Sequence, residues 1–515
     1  MRAPERAKLF RTLDGPLLPF ICAVLTLLAA VWVWIPQNFA PRLSDERAYL
    51  LQAEIFASGK WTLPARPKPE FFEQEHTFVT PFVAAKYPPG QSLVLTSGVF
   101  VGWPQLMPLL MAAAAGALVV ILSRALTSAP VALLAWACWI TLPPTMYYMP
   151  SYLSEVTTLV LWLLGWYALL RRVKGGGPSW LVLLGACIAW CIITRPLTGV
   201  AYALPTAAVA LTHEYRRRVV GPSTVSFLVA LAILSVIPLW SRNTTGSWTR
   251  TPLMQYTATY IPWDVPGFGT VAAKPLRSLP DDIQRDLSRF EDLHSRHVVR
   301  ALPTIAFARA KGLLGRVSPT RHVFLLITVL IVGLAAMPRA ARIGIITSVV
   351  LFASYLTYAT PPEYPLYYLE TFPVVGFTLA AGIAAIIRFL LRRYSKPGNV
   401  ASLAMVAAAL VVIVSGLSSA RRMRTSRGGV NRFRVMIDVI QSSRNVVFAR
   451  YGASPAAPLL LVWNPAYLEK ARTIVVFDRG EMNDSLLTVF PDRHPYLLDV
   501  AAGQLREIAL DHRNR

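Results

Sequence analysis

The chain has 515 residues, 54% of them hydrophobic, and a mean hydropathy of +0.46. These values exclude an ordinary soluble globular protein, because they go with many apolar runs long enough to cross a bilayer. The formal net charge is +24, and many of the basic residues cluster at the ends of apolar runs, as at Arg171, Arg172 and Arg216. This positive-inside pattern indicates a polytopic membrane protein and argues against a nucleic-acid partner.

The N-terminal segment, residues 1–15, is basic and precedes an apolar run from about Pro16 to Trp34. A signal peptide has the same charge order, but its apolar core is shorter, roughly 7–15 residues. The run here is long enough to span a bilayer. We therefore expect an uncleaved first helix with its N-terminus in the cytoplasm.

Apolar segments separated by basic clusters predict eleven membrane spans. After the first, we expect spans at about 105–123 and 129–148, a fourth that descends to Arg171 and Arg172, and a hairpin of two short helices before Arg216. Further spans are expected at about 220–240, 321–337, 342–358, 372–391 and 399–417. The hairpin breaks at ITRPLTG, where Pro196 and Gly199 interrupt helix formation. This topology keeps the flanking basic clusters inside and places Arg195 at the outer surface.

The predicted fold class is mainly α: a polytopic membrane domain, residues 1–417, followed by a small soluble α/β domain, residues 418–515. The first outer loop spans 36–90, and a second large outer segment spans 241–320. The piece 91–102 is too short to span and fits an interfacial or re-entrant position. In the tail, LLLVWN and RTIVVFD are typical of strands, and eleven spans place it outside. The arginines at 421, 422, 424 and 427 argue against an outside location, because basic residues next to a span favour the cytoplasmic side.

The four cysteines all lie inside apolar runs, at Cys22, Cys138, Cys187 and Cys191. Cys187 and Cys191 share a helix face, but no histidine or further thiol joins them as metal ligands. We interpret all four as small buried hydrophobic residues, and we expect no disulfide framework.

Polar side chains converge on the predicted outer face, where they suit a reaction on a lipid-borne anionic substrate. None requires a charge at the bilayer centre, so no ion or proton relay through the bundle is indicated. The candidates are Asp45, Glu46, Lys86, Tyr87, Glu155, Arg195, Arg242, Arg250, Tyr256, Tyr260, Tyr368 and Glu370.

Several of these residues also have an ordinary structural interpretation. Ser44 and Asp45 can cap a helix that runs through ERAYLLQAEIF, and Glu155 suits the positive end of a helix dipole. Arg195 can serve as an interfacial anchor, and Tyr368 fits an aromatic belt at the lipid interface. Residues alone leave catalysis and structure open at each position, and His76 is interpreted as a loop residue.

Four stretches in chain order carry a family resemblance. They are SDERAYLLQAEIFASGKW followed by YPPG, then TRPLTG, TTGSWTRTPLMQYTATYIPWDVPGFG and YPLYYLETFP. Together they resemble the GT-C glycosyltransferases, and within them bacterial members of the protein O-mannosyltransferase and lipid A aminoarabinose transferase family. The resemblance covers the membrane part well and the C-terminal domain less specifically.

The resemblance implies an enzyme that takes a sugar from a polyprenyl monophosphate carrier and passes it to a lipid, glycan or protein acceptor at the outer face of the bacterial inner membrane. Asp45, the first acidic residue of the outer loop, corresponds to the base, with Glu46 beside it. The reaction inverts the anomeric carbon. Cations neutralise the departing phosphate, and Arg195, Lys86, Arg242 and Arg250 are the candidates. No cofactor or metal is implied.

The chain departs from this pattern at the two prolines. Aminoarabinose transferases carry Lys immediately before them, whereas this chain has Tyr87, with Lys86 one residue earlier. Neighbouring side chains in an extended segment point to opposite sides, so we expect Lys86 to point away from Tyr87.

Two other classes of function remain open at this point. A lipid or polysaccharide transporter or flippase predicts paired repeats and discontinuous midplane helices with buried charges, and the sequence shows neither. A non-catalytic membrane scaffold predicts tolerance of simultaneous changes at Asp45, Glu155 and Arg195. The glycosyltransferase is the leading hypothesis.

Overall fold

The computed structural model describes residues 15–218, 221–269, 273–317, 323–393, 397–428, 432–452 and 461–508. Most of the basic segment predicted to face the cytoplasm, residues 1–14, lies outside the described residues. Helix dominates the described chain, as predicted from its composition.

The α-helices are numbered in chain order. They are α1 Leu17–Trp34, α2 Ser44–Ala57, α3 Gly90–Phe100, α4 Leu106–Leu126, α5 Ala129–Ile140, α6 Pro143–Tyr148, α7 Ser154–Val173, α8 Ser179–Thr194, α9 Pro196–Arg217, α10 Gly221–Leu234, α11 Val236–Thr245, α12 Pro252–Tyr260, α13 Asp281–Ser295, α14 Leu302–Val317, α15 Val323–Ala336, α16 Arg342–Tyr355, α17 Phe372–Leu390, α18 Pro397–Gly428, α19 Arg432–Asp438 and α20 Asn483–Leu487.

Seven strands complete the regular structure. They are β1 Leu63–Pro64, β2 Thr77–Phe78, β3 Phe82–Ala85, β4 Asn445–Arg450, β5 Thr473–Phe477, β6 His494–Asp499 and β7 Gln504–Glu507.

Helix is present in every segment predicted to span, but the count of eleven is not confirmed. In the part of the chain that the structure describes, six helices are long and apolar enough to cross a membrane, or seven if the bent pair α15 and α16 is one span. The apolar helices α5 and α8 are shorter than this. A bilayer needs about 20 apolar helical residues, so a hydropathy pattern overcounts wherever a run is interrupted.

Proline explains the interruptions. The predicted span 129–148 is two helices, α5 and α6, because Pro143 and Pro144 lack the N–H groups that a continuous helix needs. The axes of α15 and α16 differ by 116° at a break that contains Pro338. The predicted hairpin break at ITRPLTG is confirmed: α8 ends at Thr194 and α9 begins at Pro196.

The chain divides into two compact units. The first, here called the membrane unit, comprises Met1–Pro36, Gln105–Val236 and Val299–Ser426. The second, here called the loop–tail unit, comprises Gln37–Pro104, Ile237–Val298 and Arg427–Arg515. The predicted boundary between a membrane domain, residues 1–417, and a C-terminal domain, residues 418–515, stays a prediction.

Within the membrane unit, small residues allow close helix packing. A Cβ atom at Gly199 in α9 would lie 2.5 Å from the backbone nitrogen of Ile192 in α8, so only glycine fits there. Trp162 of α7 stacks on Tyr202 of α9 with ring centroids 4.4 Å apart. The four cysteines are all buried in this unit, as predicted.

The loop–tail unit contains two small sheets. The first has the strand order β1-β3-β2 and is antiparallel. The second has the order β5-β4-β6-β7, in which β4 runs parallel to both β5 and β6, and β7 runs antiparallel to β6. The predicted small C-terminal α/β region is confirmed by this second sheet.

Loop and tail residues of this unit share one apolar core. Phe71, Phe72 and Val79 from the first loop pack with Val446 and Phe448 from β4. Burying such side chains stabilises a fold by about 1.5–3 kcal/mol each. The loop segment 37–104 is therefore held by the tail and is not a free connection.

One predicted strand of the tail is wrong in its described part. RTIVVFD forms β5, but residues 461–464 of LLLVWN form no strand; residues 459 and 460 lie outside the described chain. The side chain of Asn464 instead replaces a strand partner, since its amide nitrogen donates to the Val475 carbonyl at 2.7 Å and its oxygen accepts from the Val475 N–H at 2.8 Å. Pro465 follows and has no N–H to continue a ladder.

Candidate active site

The first turn of α2 carries the two adjacent carboxylates, which do different things. The side chain of Glu46 is buried, and its Oε1 accepts hydrogen bonds from the backbone N–H groups of Arg42 at 3.0 Å and Leu43 at 3.2 Å. It thereby satisfies backbone donors just before the helix and fixes where α2 begins. The side chain that bonds to backbone N–H groups just before α2 is thus that of Glu46, and not that of Ser44 or Asp45.

Asp45 remains available for chemistry. Its side chain is 35% exposed, and its Oδ1 accepts a 2.5 Å hydrogen bond from the hydroxyl of Tyr87. The ring of Tyr87 is held in turn by stacking on Tyr49, one helical turn after Asp45, with centroids 4.8 Å apart. One carboxylate oxygen is thus oriented by a tyrosine, as a positioned base requires.

The segment that carries Lys86 and Tyr87 is tied to α2. The backbone N–H of Ala85, at the end of β3, donates to Oε1 of Gln52 at 2.9 Å. Gln52 also donates from Nε2 to the carbonyl of Trp61 at 2.9 Å. Because Gln52 lies in the middle of α2, this bond sets the distance between the helix and the Lys86–Tyr87 pair.

The expectation that Lys86 points away from Tyr87 is wrong. The Nζ of Lys86 lies 5.4 Å from the ring centroid of Tyr87 and 5.1 Å from that of Tyr256, and it lies 3.7 Å from Oδ2 of Asp264. The strand β3 ends at Ala85, so strict alternation no longer applies, and the four-carbon stem of lysine bends toward the same cluster. Lys86 is buried.

Sequence reasoning missed His76, which lies against the candidate base. Its Nε2 is 3.8 Å from Oδ2 of Asp45 and 4.0 Å from Oε2 of Glu75. Its backbone N–H donates to the hydroxyl of Tyr256 at 2.9 Å. No sequence motif identified this histidine; its φ of 65° marks a turn, and only the folded loop brings it to Asp45.

Titration behaviour follows from these neighbours. Burial, and then the charge of Lys86, lower the pKa of His76 to about 4, so the imidazole is neutral at neutral pH. Burial raises the pKa of Asp45, but His76, the Tyr87 hydrogen bond and Lys86 outweigh it, and the net pKa lies below its usual value. Asp45 is therefore ionised and able to accept a proton.

Two tyrosines of α12 close this cluster. The rings of Tyr256 and Tyr260, one turn apart, have centroids separated by 4.7 Å. Burial raises the pKa of Tyr256 well above its usual value, so its hydroxyl keeps its proton. We refer to Asp45, His76, Lys86, Tyr87 and Tyr256 as the Asp45 cluster; all five belong to the loop–tail unit.

A second polar group lies in the membrane unit, around Arg195. This residue is the single non-helical position between α8 and α9, with φ −141° and ψ 90°. Its guanidinium pairs with Glu155 at the start of α7, donates from Nη2 to the Tyr355 hydroxyl at 2.7 Å, and donates from Nε to Thr198 at 3.2 Å. Glu155 and Arg195, predicted separately, therefore form one ion pair.

Glu370 and Tyr368 extend this second group. Thr158 of α7 donates its hydroxyl to Glu370, and the Tyr368 ring lies 5.8 Å from that of Tyr355. Both predicted residues are buried. We refer to Glu155, Arg195, Tyr355 and Glu370 as the Arg195 network; Tyr355 was not predicted, because nothing in its apolar helix sets it apart.

Arg242 and Arg250 lie in the loop–tail unit but are not part of the Asp45 cluster. Both side chains are exposed, and Arg242 donates to the carbonyl of Gly246 in the following turn. Their candidacy as phosphate ligands stays a prediction.

Comparison with known proteins supports the fold. Residues 97–241 match the sequence model of the dolichyl-phosphate-mannose-protein mannosyltransferase family. This segment includes Glu155 and Arg195 but not Asp45. No curated protein matches the chain.

Solved structures extend the similarity to most of the chain. ArnT from Cupriavidus metallidurans bound to undecaprenyl phosphate is 13% identical, with a TM-score of 0.52 and coverage of 92% of both chains. The apo state of that protein is 14% identical, with a TM-score of 0.51, and the match covers 93% of this chain and 89% of that one. Arabinosyltransferase EmbB from Mycobacterium smegmatis is 13% identical with a TM-score of 0.41, and the match covers 82% of this chain and 41% of that one.

The predicted resemblance is confirmed at the level of fold. The C-terminal sheet and the order of apolar helices fit the same architecture. The chain is therefore a multi-pass membrane protein with the GT-C fold; it is similar to the protein mannosyltransferase family over residues 97–241 and to ArnT over most of its length.

Proposed function

We propose that the chain is an inverting glycosyltransferase that moves a sugar from a polyprenyl monophosphate carrier to an acceptor hydroxyl at the outer face of the membrane. The observation that carries the proposal is Asp45: a partly exposed carboxylate, ionised, and oriented by the Tyr87 hydroxyl beside a buried lysine. The undecaprenyl phosphate in the ArnT structure supports the carrier class.

Asp45 acts as general base in this mechanism. Its free oxygen takes the proton of the acceptor hydroxyl while the acceptor oxygen attacks the anomeric carbon from the side opposite the phosphate. The bond between that carbon and the phosphate oxygen breaks, and the electron pair leaves with the carrier phosphate. A positioned base contributes roughly 10²–10⁴-fold to the rate, and attack from the opposite side inverts the anomeric configuration.

Lys86 neutralises the charge that develops on the departing phosphate. Its ammonium is buried near Tyr87 and Tyr256 and pairs with Asp264 at 3.7 Å, so it is held in place away from bulk water. Such a fixed charge stabilises a transition state more strongly than a mobile one in water. Arg195, Arg242 and Arg250 are further candidates for the phosphate.

The neutral imidazole of His76 keeps Asp45 ready for a second cycle. It lies 3.8 Å from the carboxylate and carries no positive charge at neutral pH. It therefore forms no tight ion pair that would hinder Asp45 from taking up a proton. Glu46 fixes the start of the helix, and Tyr256, Tyr260, Tyr368, Glu155 and Glu370 are the candidates for contacts with the sugar or acceptor.

A transfer assay tests this function directly. Membranes that contain the chain, and matched membranes without it, receive radiolabelled polyprenyl-phosphate hexoses or pentoses and an envelope extract as acceptor. We expect label to leave the carrier only when the chain is present, and the product to have the inverted anomer. Label that crosses the membrane while still bonded to its carrier would instead establish the transporter.

A further inference from the structure

A pair of arginines in the loop–tail unit has no role in the mechanism above. Arg47 follows Asp45 by two residues in α2, and Arg434 lies in α19. Residues two apart in a helix point to different sides, so Arg47 faces away from the Asp45 cluster. Both guanidinium groups pack on the ring of Trp463, at 5.2 Å for Arg47 and 5.4 Å for Arg434.

Both arginines keep hydrogen-bond donors that the described chain does not use. Arg47 is 9% exposed, and its Nε and Nη1 have no hydrogen-bond partner among the described residues. The same holds for Nη2 of Arg434. Buried donors of a charged group are costly to leave unpaired, and a guanidinium whose fork remains open is suited to an anion.

The two positive charges add to each other's cost of burial. Burial, followed by the charge of Arg434, lowers the pKa of Arg47 to about 9, although Tyr451, Glu46 and Glu75 act in the other direction. Glu46 directs Oε1 to backbone N–H groups. Asp438 faces Arg434, whose pKa is nevertheless below its usual value because of burial. Two like charges packed on one ring repel each other, and a bound anion between them would reduce that repulsion.

The fold places this pair where α/β sheets bind ligands. Tyr451, at the carboxyl end of the central strand β4, is buried and accepts a hydrogen bond from the N–H of Val462 at 3.3 Å, next to Trp463. The parallel neighbours β5 and β6 lie on opposite sides of β4. Ligands of open α/β sheets bind outside the carboxyl ends of the strands, where the strand order reverses.

We propose that Arg47 and Arg434, both packed on Trp463, form a phosphate-binding site of the loop–tail unit that is separate from Asp45. Two guanidinium forks match the charge and the several acceptor oxygens of a phosphate group. The phosphate is either that of a lipid headgroup or free phosphate. The proposal does not depend on sugar transfer, since it rests on other residues.

Thermal unfolding of the full chain in detergent tests the site. Inorganic phosphate is titrated against chloride at equal ionic strength, because a ligand that binds only the folded state raises the unfolding temperature. We expect a saturable rise for the wild type and for Asp45→Asn. In Arg47→Gln and in Arg434→Gln, the phosphate concentration for half the effect should increase on the order of tenfold or more.

Arg296→Gln is the matched control, because Arg296 is an exposed arginine of the same unit paired with Asp292; it should respond like the wild type. Dioctanoyl phosphatidic acid and dioctanoyl phosphatidylcholine are compared to decide between a lipid headgroup and free phosphate. A larger rise of the unfolding temperature with phosphatidic acid identifies the ligand as the phosphate monoester of a lipid. If phosphate does not raise the wild-type unfolding temperature, or if Arg434→Gln keeps the full response, the site does not exist.

Discussion

The Asp45 cluster and the Arg195 network contain the same kinds of side chain in opposite arrangements. Asp45 is about a third exposed and has a tyrosine on one oxygen, whereas Glu155 is 3% exposed and paired with Arg195. Arg195 also bonds to Thr198 and Tyr355, while Lys86 lies 3.7 Å from the carboxylate of Asp264. The first arrangement leaves a carboxylate free to react, and the second uses its charges to join three helices.

A charged side chain that stands out in the sequence is not for that reason a reactive one. Burying an ion pair removes it from water, so either partner alone becomes a strongly destabilising charge. A carboxylate that is oriented but still accessible can gain and lose a proton during a reaction. Variants of the two groups should therefore fail in different ways, through turnover in one and through folding in the other.

The largest effect should separate the adjacent carboxylates of α2. Asp45→Asn should lower steady-state transfer by roughly 10²–10⁴-fold with an unchanged unfolding temperature. Glu46→Gln should keep most of the activity and lower the stability by about 1 kcal/mol, because it weakens two bonds to backbone donors. Transfer and thermal unfolding are measured on both variants, with Asp292→Asn as the exposed control. If Glu46→Gln lost transfer and Asp45→Asn lost only stability, Glu46 would be the base and Asp45 the structural carboxylate.

The Arg195 network should respond mainly in stability. Glu155→Gln removes the ion-pair partner of the largely buried Arg195 guanidinium and should cost about 3–5 kcal/mol. The double variant Glu155→Gln with Arg195→Gln should recover part of this loss, which a double-mutant cycle of unfolding free energies measures. A fully stable Arg195→Gln variant with a raised KM for the donor would instead assign Arg195 to the phosphate.

Lys86 should affect transfer more than folding. Lys86→Gln removes the fixed charge near the departing phosphate and should lower kcat/KM for the lipid-linked donor by about 10–100-fold. Steady-state kinetics with a labelled donor provide the measurement, and Lys274→Gln, at an exposed lysine of the same unit, is the control. Equal losses in both variants would point to general electrostatic attraction of the carrier.

The smallest change should be a shift of the pH profile. The Tyr87 hydroxyl donates to the ionised form of Asp45 and so helps to lower its pKa. Tyr87→Phe removes that bond, so the pKa of Asp45 should rise. Transfer should then be lost at higher pH on the acid side than in the wild type. If the acid limb of the pH profile of kcat/KM does not shift, Tyr87 is not the group that orients Asp45.

Membrane helices and the helix break at Arg195 could be predicted from the sequence. Apolar runs identify membrane helices because backbone hydrogen bonds within a bilayer must be satisfied within the segment. The break at Arg195 follows from Pro196 and Gly199. The number of spans could not be predicted, because hydropathy sums do not register the missing N–H groups of Pro143, Pro144 and Pro338.

The site was predictable only where a motif carried it. Asp45 and Tyr87 lie in stretches that resemble the family, Lys86 directly precedes one of them, and the structure brings the three together. His76 carries no such signal, and Asp264 lies in the stretch that ends in YIPWDVPGFG. Their contacts with Asp45 and Lys86 do not follow from the sequence, because they depend on loops that fold against each other. The bend of the lysine stem that returns Lys86 to Tyr87 depends on where β3 ends, which alternation alone does not give.

Single-turnover kinetics test the central claim, that Asp45 acts in the chemical step, most directly. Chain saturated with labelled polyprenyl-phosphate sugar is mixed with excess acceptor, and the binding of the donor is measured separately. The account predicts equal donor affinity in the wild type and Asp45→Asn, with a rate of label transfer roughly 10²–10⁴-fold lower in the variant. Equal single-turnover rates in the two proteins would contradict it.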